Sequence, residues 1–277
     1  MNQLSSFQRS KVISALVEGN SVRSTCRMTG VAKGTVLKLL VDLGSACERY
    51  QFNNLVKLNC KRIECDEIWS YCYSKERNIP EEHKGQFGYG DVWTFVALDA
   101  DTKLVLSWLV GQREPEYAYQ FAKDIKERLS NRVQLTTDGH KMYYEAFDGA
   151  FGDDIDYAML VKIYGNEYDA NGKYVGYPKC TGIKVKKIHG NPDMSRVSTS
   201  YIERQNLTMR MTMRRFTRQT NGFSKKLDNL KCTLALHYMY YNFARVHKTL
   251  GCTPAMAAGV ADHVWTLEEI ISMMDSN

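Results

Sequence analysis

Three acidic residues are notable for their positions in the predicted strands and helices. Asp66 lies in the middle of a predicted strand, within a run of three acids at 64–67 that disfavours a central apolar strand. Asp138 ends another predicted strand, at a strand-to-helix turn where side chains project into the crevice beyond the strand ends. Glu203 lies in the first turn of a predicted helix, where Ser200-x-x-Glu203 also fits a capping box without a catalytic role. These three carboxylates are the candidate catalytic set.

A metal site is predicted on the first two of these acids. The element order β-β-β-α-β makes the first and fourth strands neighbours, which places Asp66 beside Asp138. Two carboxylates about 4 Å apart repel and would share a proton unless a cation lies between them. All-oxygen ligands favour Mg²⁺ or Mn²⁺ over zinc, so one of these two metals is expected.

The segment around Glu203 is rich in arginine. Between Met194 and Lys226, Glu203 is the only acidic residue, beside eight basic ones. A solvated helix normally mixes charges to gain pairs one turn apart, whereas an arginine-rich helix is suited to phosphates. Arg210 and Arg214 follow Glu203 on one predicted face. Three further arginines flank that face: Arg204, Arg215 and Arg218.

The N-terminal segment has the pattern of a helix-turn-helix. Helices are predicted over 7–18, 21–28 and 32–43, with Gly30 at the turn before the third. In that motif the third helix enters the major groove of DNA. Any small three-helix bundle would show the same pattern, but the basic charge of the segment favours DNA binding. Three residues would then face bases or phosphates: Lys33, Thr35 and Lys38.

From residue 62 onward the pattern is that of an α/β fold. The order β-β-β-α-β-α-β-α-α indicates a five-stranded mixed sheet flanked by helices. A segment rich in Gly, Pro and Lys, 165–195, is predicted to form a hairpin insertion. Strands are predicted over 62–73, 91–99, 103–111, 132–137 and 157–164, and helices over 115–129, 141–147, 199–217 and 223–246.

Charge is distributed unevenly along the 277 residues, whose net charge is +6. Residues 1–62 carry +7, residues 63–160 carry −9 and residues 161–277 carry +8. A polyanion partner around a carboxylate site would explain this, although uneven sampling of surface charge could also produce it. No apolar run approaches the roughly 20 residues of a membrane helix, and the start lacks a signal-peptide core. We therefore expect a cytoplasmic, nucleoid-associated protein without a membrane partner, with its eight cysteines reduced.

These residues together resemble the Asp-Asp-Glu core of RNase H-like transposases and retroviral-type integrases. The core consists of Asp66, Asp138 and Glu203, with Arg210 seven residues further on. The segment 241–254, which begins with Tyr241-Asn242 and contains Arg245, His247, Leu250 and Pro254, resembles the signature that closes the catalytic region of many such enzymes. Cys65-Asp66-Glu67-x-Trp69-Ser70, Thr137-Asp138-Gly139 and the helix-turn-helix around 23–40 are similar to the insertion-sequence-one family of bacterial transposases. The resemblance covers about residues 10–255.

The resemblance implies a DNA transposase of an insertion sequence, which cleaves and joins DNA with metal ions. Asp66, Asp138 and Glu203 would hold two Mg²⁺ (or Mn²⁺) ions, and Arg210 would hold the scissile strand. Asn242 and His247 would orient the site or contact the DNA backbone. The implied partners are double-stranded DNA (terminal inverted repeats and target) and further copies of the chain. The implied organisation is a helix-turn-helix domain 1–46, a connector 47–61, a catalytic domain 62–254 and a helical tail 255–277.

Two features depart from these families. No zinc-finger pattern precedes the helix-turn-helix, and the 65-residue gap from Asp138 to Glu203 is longer than in retroviral-type integrases. The long gap leaves Glu167 as a rival third ligand.

Two other functions stay open. A transcription regulator with a helix-turn-helix and an α/β ligand-sensing domain would need neither metal nor convergent carboxylates. A structure-specific RNase H-like endonuclease would cut branched DNA without strand transfer.

Overall fold

The computed structural model describes residues 4–166, 168, 170–172, 174–176, 178–218 and 220–275. Within these residues, short 3₁₀ turns lie at 76–78, 81–83, 194–196 and 214–216, and a π-helix spans Tyr240–Ala244. The main elements in chain order are α1 (Ser6–Val17), α2 (Val22–Thr29), α3 (Lys33–Asn54), β1 (Arg62–Cys72), β2 (Gly90–Asp99), β3 (Val105–Gly111), α4 (Pro115–Arg128), β4 (Gln134–Asp138), α5 (Lys141–Phe151), β5 (Asp156–Gly165), β6 (Lys179–His189), α6 (Ser200–Thr212), α7 (Leu227–Met239), α8 (Pro254–Ala257) and α9 (Leu267–Ser272).

The sheet is mixed and has the strand order β3-β2-β1-β4-β5-β6. Strands β1, β2 and β3 are antiparallel neighbours, β4 and β5 run parallel to β1, and β6 is antiparallel to β5. The predicted α/β class is confirmed, and the arrangement is compatible with an RNase H-like fold. The predicted five strands are wrong, because the second arm of the predicted hairpin insertion adds β6. This edge strand is largely exposed, so it carries lysines in place of the apolar alternation that marks a half-buried strand.

Helices cover both faces of the sheet. Successive residues of a strand point to opposite faces, so Phe95 and Val96 of β2 enter different cores. Phe95 packs with Phe121 of α4 and Tyr143 of α5. Val96 belongs to the core beneath α6 and α7, which includes Ile202. The sheet is therefore buried between two layers of helices, as its apolar central strands require.

Helix α3 continues past its predicted end and joins the N-terminal helices to the rest of the molecule. It runs to Asn54, so the predicted end at Leu43 is wrong, and the predicted domain boundary at residue 46 lies inside a helix. A Cβ at Gly44 would lie 2.5 Å from Cβ of Cys232, so α3 and α7 cross closely at a glycine. Gln51 also donates a hydrogen bond to the Ala235 carbonyl at 3.0 Å. Packing on α7 extends the helix, and this is not visible in local sequence.

The C-terminal segment folds back onto α1. The predicted helical tail contains the short helices α8 and α9, and Thr266 and Glu269 form a capping box at the start of α9. Ser10 of α1 donates to Glu268 at 2.7 Å, and Ile270 is fully buried. All eight cysteines are free. Within the described residues, no helix combines the length and apolar character needed to cross a bilayer.

Candidate active site

Asp66 and Asp138 lie beside each other on adjacent parallel strands. The pairing of β1 with β4 aligns Cys65 with Thr137, and the next residue of each strand is one of the two aspartates. The predicted neighbourhood of the first and fourth strands is confirmed. Ligand oxygens of Asp66, Glu67 and Asp138 all lie within 4.8 Å of one another. The structure therefore adds Glu67 to the acidic cluster.

Glu67 is held in this cluster by Arg113, in the loop before α4, and by Tyr143 of α5. Its side chain is buried, Nε of Arg113 donates to it at 2.8 Å, and the Tyr143 hydroxyl donates at 2.7 Å. The Arg113 guanidinium also lies over the Trp93 ring, 4.4 Å from its centroid. The run of acids at 64–67 was the available signal. Strand alternation assigned Glu67 to the opposite face from Asp66 and gave no reason to include it.

The two aspartates carry unfavourable electrostatics. Burial, together with the charges on Glu67 and Asp138, raises the pKa of Asp66 to about 7. Burial and then Glu67 raise the pKa of Asp138. Among the residues that the structure describes, neither aspartate forms an ion pair. Their repulsion is therefore not neutralised locally, and a divalent cation would relieve it.

Glu203 faces the same site from α6. Its charge contributes to the raised pKa of Asp66, after the larger effects of burial and the nearer carboxylates. Thr199 is the N-cap residue of α6 and Ser200 is its first helical residue, so the capping-box alternative at Ser200 is wrong. The Thr199 hydroxyl instead donates to the Glu203 carboxylate at 2.6 Å. Glu203 is thus free of the capping role that competed with a catalytic one.

A lysine of the neighbouring strand pairs with Glu203. Nζ of Lys162, on β5, lies 2.6 Å from Oε1 of Glu203, and both side chains are partly exposed. An exposed pair of this kind contributes little to stability, typically about 0–1 kcal/mol. The rival third ligand, Glu167, lies outside the described residues.

Glu64 fixes the position of α6 relative to the acidic strand. Its buried carboxylate accepts hydrogen bonds from the backbone N–H groups of Tyr201 at 2.8 Å and Ile202 at 3.0 Å. These amides belong to the first turn of α6, whose N–H groups have no partner within the helix. Glu64 therefore anchors the turn that carries Glu203, two residues before Asp66 on the same strand.

Removing this anchor should loosen α6. We expect Glu64→Ala to lower the free energy of unfolding by about 1–3 kcal/mol, because it leaves buried amides without an acceptor. Glu64→Gln keeps an acceptor oxygen and should cost less. Urea unfolding measures both, with Glu76→Ala as control, since Glu76 accepts a single exposed backbone bond. Equal stability of Glu64→Ala and wild type would contradict the anchoring role.

The donor atoms of the site suit a hard divalent cation. Nδ2 of Asn206, on α6, donates to Oδ2 of Asp66 at 2.8 Å, and its own Oδ1 is buried without a partner. Carboxylate and amide oxygens are the ligands that Mg²⁺ and Mn²⁺ prefer. The residues present therefore fit the predicted metal, with Asp66, Glu67 and Asp138 as the set within 4.8 Å, whereas Glu203 lies outside this set and pairs with Lys162.

The predicted arginine face is only partly formed. Arg210 is half-buried on α6; burial and Arg218 lower its pKa, while Asp66 is near enough to oppose them. Helix α6 ends at Thr212, so Arg214 does not extend this face as predicted. The helix ends there because the following chain turns to bury Met213 and Phe216 in the core below the sheet. Three arginines are exposed: Arg204, Arg214 and Arg218. Arg215 is half-buried.

The predicted DNA-reading residues of α3 are exposed. Lys33, Thr35 and Lys38 all face solvent, and Lys38 pairs with Asp42 at 2.6 Å. Their contact with DNA stays a prediction.

Asn242 is fully buried, and its predicted contact with the DNA backbone stays a prediction. Its side chain accepts from the Val105 amide at 3.0 Å and donates to the Val105 carbonyl at 2.9 Å. The Tyr241 hydroxyl donates to the Lys103 carbonyl at 3.1 Å. The Tyr-Asn pair therefore fastens the π-helix to the start of β3. His247 is half-buried, with its pKa lowered by burial, and its role stays a prediction.

Comparisons with known proteins give weak likenesses. No family model and no curated protein matches the chain. Among solved structures it is similar to the piggyBac transposase synaptic complex with hairpin DNA, at 9% identity and a TM-score of 0.41 over 98% of this chain and 71% of that one. It is also similar to the Mos1 strand transfer complex, at 12% identity and a TM-score of 0.21 over 52% of this chain and 54% of that one. It is similar as well to the Mos1 mariner paired-end complex with Mn, at 10% identity and a TM-score of 0.24 over 57% of this chain and 60% of that one. Likenesses this weak assign no family.

Proposed function

We propose that this protein is a DNA transposase that binds the ends of an insertion sequence and catalyses metal-dependent cleavage and strand transfer. The observation that carries the proposal is the convergence of Asp66, Glu67 and Asp138 within 4.8 Å in a partly buried site. Glu203 faces this cluster from an arginine-bearing helix. Clustered carboxylates beside arginines suit a reaction in which cations and a phosphate backbone meet.

Each side chain of the site is given a separate role in this proposal. Asp66, Asp138 and Glu203 would hold Mg²⁺ or Mn²⁺, with Glu67 as an additional oxygen ligand. Two such ions, when bound, supply activation of the attacking oxygen and stabilisation of the leaving oxygen. Arg210 would bind a phosphate of the scissile strand, and Asn206 would orient Asp66 through the hydrogen bond between them.

We assign DNA binding to basic residues of the N-terminal helices and of the segment around α6. The three helices of residues 1–46 would act as the helix-turn-helix, residues 62–254 as the RNase H-like catalytic region, and 255–277 as the tail packed on α1. His247 would contact the backbone. We also propose that copies of the protein form a homo-oligomer that acts on the two paired DNA ends in the bacterial cytoplasm. Basic residues of α3 and around α6 would carry the contacts: Lys33, Lys38, Arg204, Arg214, Arg215 and Arg218, with Thr35 beside them.

An assay with metal and end DNA separates the candidate functions. The protein is incubated with Mn²⁺ and DNA that carries the inverted repeats flanking its gene. A transposase should give joined products that disappear with EDTA. Nicks confined to branched DNA would instead identify a structure-specific endonuclease. Tight binding with no cleavage in any metal would identify a regulator and contradict the proposal.

A further inference from the structure

A cleft of about 790 Å³ separates the N-terminal helices from the region around the C-terminal end of α6. One wall is formed by α1, α2 and the start of α3, and the other by residues 212–237. None of the four carboxylates of the acidic site lines it. The volume is in the range of ligand sites, so the cleft can admit a bound group.

The walls of the cleft carry one sign of charge. Among the described residues that line it, none is Asp or Glu. A concave surface of a single charge focuses its field and concentrates counter-ions. Six basic residues contribute to it: Arg23, Lys33, Arg214, Arg215, Lys225 and Lys226.

Arg215 is the most enclosed of these cations. Its guanidinium donates to the Ser224 hydroxyl at 2.6 Å, and burial lowers its pKa to about 10. Within the part of the chain that the structure describes, no carboxylate lies in ion-pair contact with it. A desolvated cation without an anion is unfavourable, and an anionic ligand would correct this.

Two further groups point to the same chemistry. His237 of α7 borders the cleft with only 5% of its surface exposed, and its Nε2 has no hydrogen-bond partner. The first turn of α2, residues 21–23, also borders the cleft. Helix N-termini favour anions because their N–H groups are unpaired within the helix.

We propose that this cleft binds phosphates of one DNA strand, at a place separate from the acidic site. The phosphate chemistry follows from the residues of the cleft, and the choice of DNA as its source rests on the proposed function. The cleft lies at the end of α6 opposite to Glu203, so a strand that passes Arg210 could continue into it.

Charge removal at the rim of the cleft tests this assignment. Lys225 and Lys226 are exposed, so Lys225→Gln/Lys226→Gln should fold normally. The matched control is Lys123→Gln/Lys126→Gln, on α4 at the opposite face of the sheet. Binding of a labelled duplex is measured by anisotropy in EDTA over about 50–300 mM NaCl. Loss of two phosphate contacts should reduce the slope of log K against log salt by about 1.8.

The outcomes separate the cleft from the catalytic proposal. A reduced slope in the cleft variant and an unchanged one in the control support the proposal, even if no metal-dependent cleavage is ever found. Equal slopes in both variants, with Arg23→Gln on the other wall also unchanged, would overturn it. Inorganic pyrophosphate serves as the second probe. If only pyrophosphate binding depended on these residues, the cleft would take a small phosphate compound and DNA would be excluded.

Discussion

Asp138→Asn is expected to abolish metal-dependent cleavage and joining of DNA while leaving DNA binding within about twofold. The substitution keeps the size of the side chain but removes one of the two uncompensated charges that a cation would bind. Loss of several kcal/mol of transition-state stabilisation corresponds to a fall of about a thousandfold or more. Binding should persist because basic residues elsewhere carry it.

Asp148→Asn is the matched control for this experiment. Asp148 is an exposed residue of α5, ten positions further along, and lies outside the acidic cluster. The Asp148→Asn variant should cleave and bind DNA as the wild-type protein does. Strand transfer by Asp138→Asn at a normal rate, with normal binding, would remove Asp138 from the catalytic set and with it the transposase mechanism proposed above.

A second large effect is expected on stability in the absence of metal. The pKa of Asp66 rises from 3.8 to about 7 on folding, so the folded chain binds more protons than the unfolded chain between these values. Stability from this group is therefore lost as pH rises from about 4 to about 7. Asp66→Asn removes the charge, and should stabilise the metal-free protein by at most roughly 4 kcal/mol above pH 7.

Urea unfolding in EDTA measures the increase in the free energy of unfolding caused by Asp66→Asn, and this increase should approach zero near pH 4. Added Mg²⁺ or Mn²⁺ should stabilise the wild type, because the folded chain alone presents the assembled carboxylates. The same addition should stabilise Asp66→Asn less. Lower stability of Asp66→Asn than of wild type above pH 7 in EDTA would show that the charge of Asp66 is compensated without metal.

The sequence was sufficient to place the two central aspartates. The order of strands makes β1 and β4 neighbours, and Asp66 and Asp138 stand at matching positions on them. Glu203 was identified on weaker grounds, since its spacing from Ser200 also fitted a capping box. The start of α6 differs by one residue from the predicted one, which removes the capping-box alternative, and the catalytic role of Glu203 stays a prediction. Helix ends are set partly by tertiary contacts such as those to Glu64.

Two features of the structure that the sequence did not reveal have a common physical cause. Glu67 enters the site because Arg113 and Tyr143, distant in sequence, hold its carboxylate. Asn242 is buried because its side-chain amide forms two hydrogen bonds with the backbone of Val105, at the start of β3. Each depends on a partner more than 45 residues away, which a local pattern does not reveal.

The crossing of α3 over α7 sets a fixed distance between the start of α3 and the rest of the molecule. From Lys33 to the crossing at Gly44, α3 rises by about 17 Å at 1.5 Å per residue, about half of the roughly 34 Å of one turn of B-DNA. Its first residues are the proposed readers of DNA, and its second half is locked at Gly44 onto the body that carries the acidic site. If α3 reads DNA and the acidic site cleaves it as proposed, a rigid helix between the two would fix how far from its recognition sequence the protein acts. The spacing between the recognition sequence and the end of the element would then be set by the part of α3 between Lys33 and Gly44.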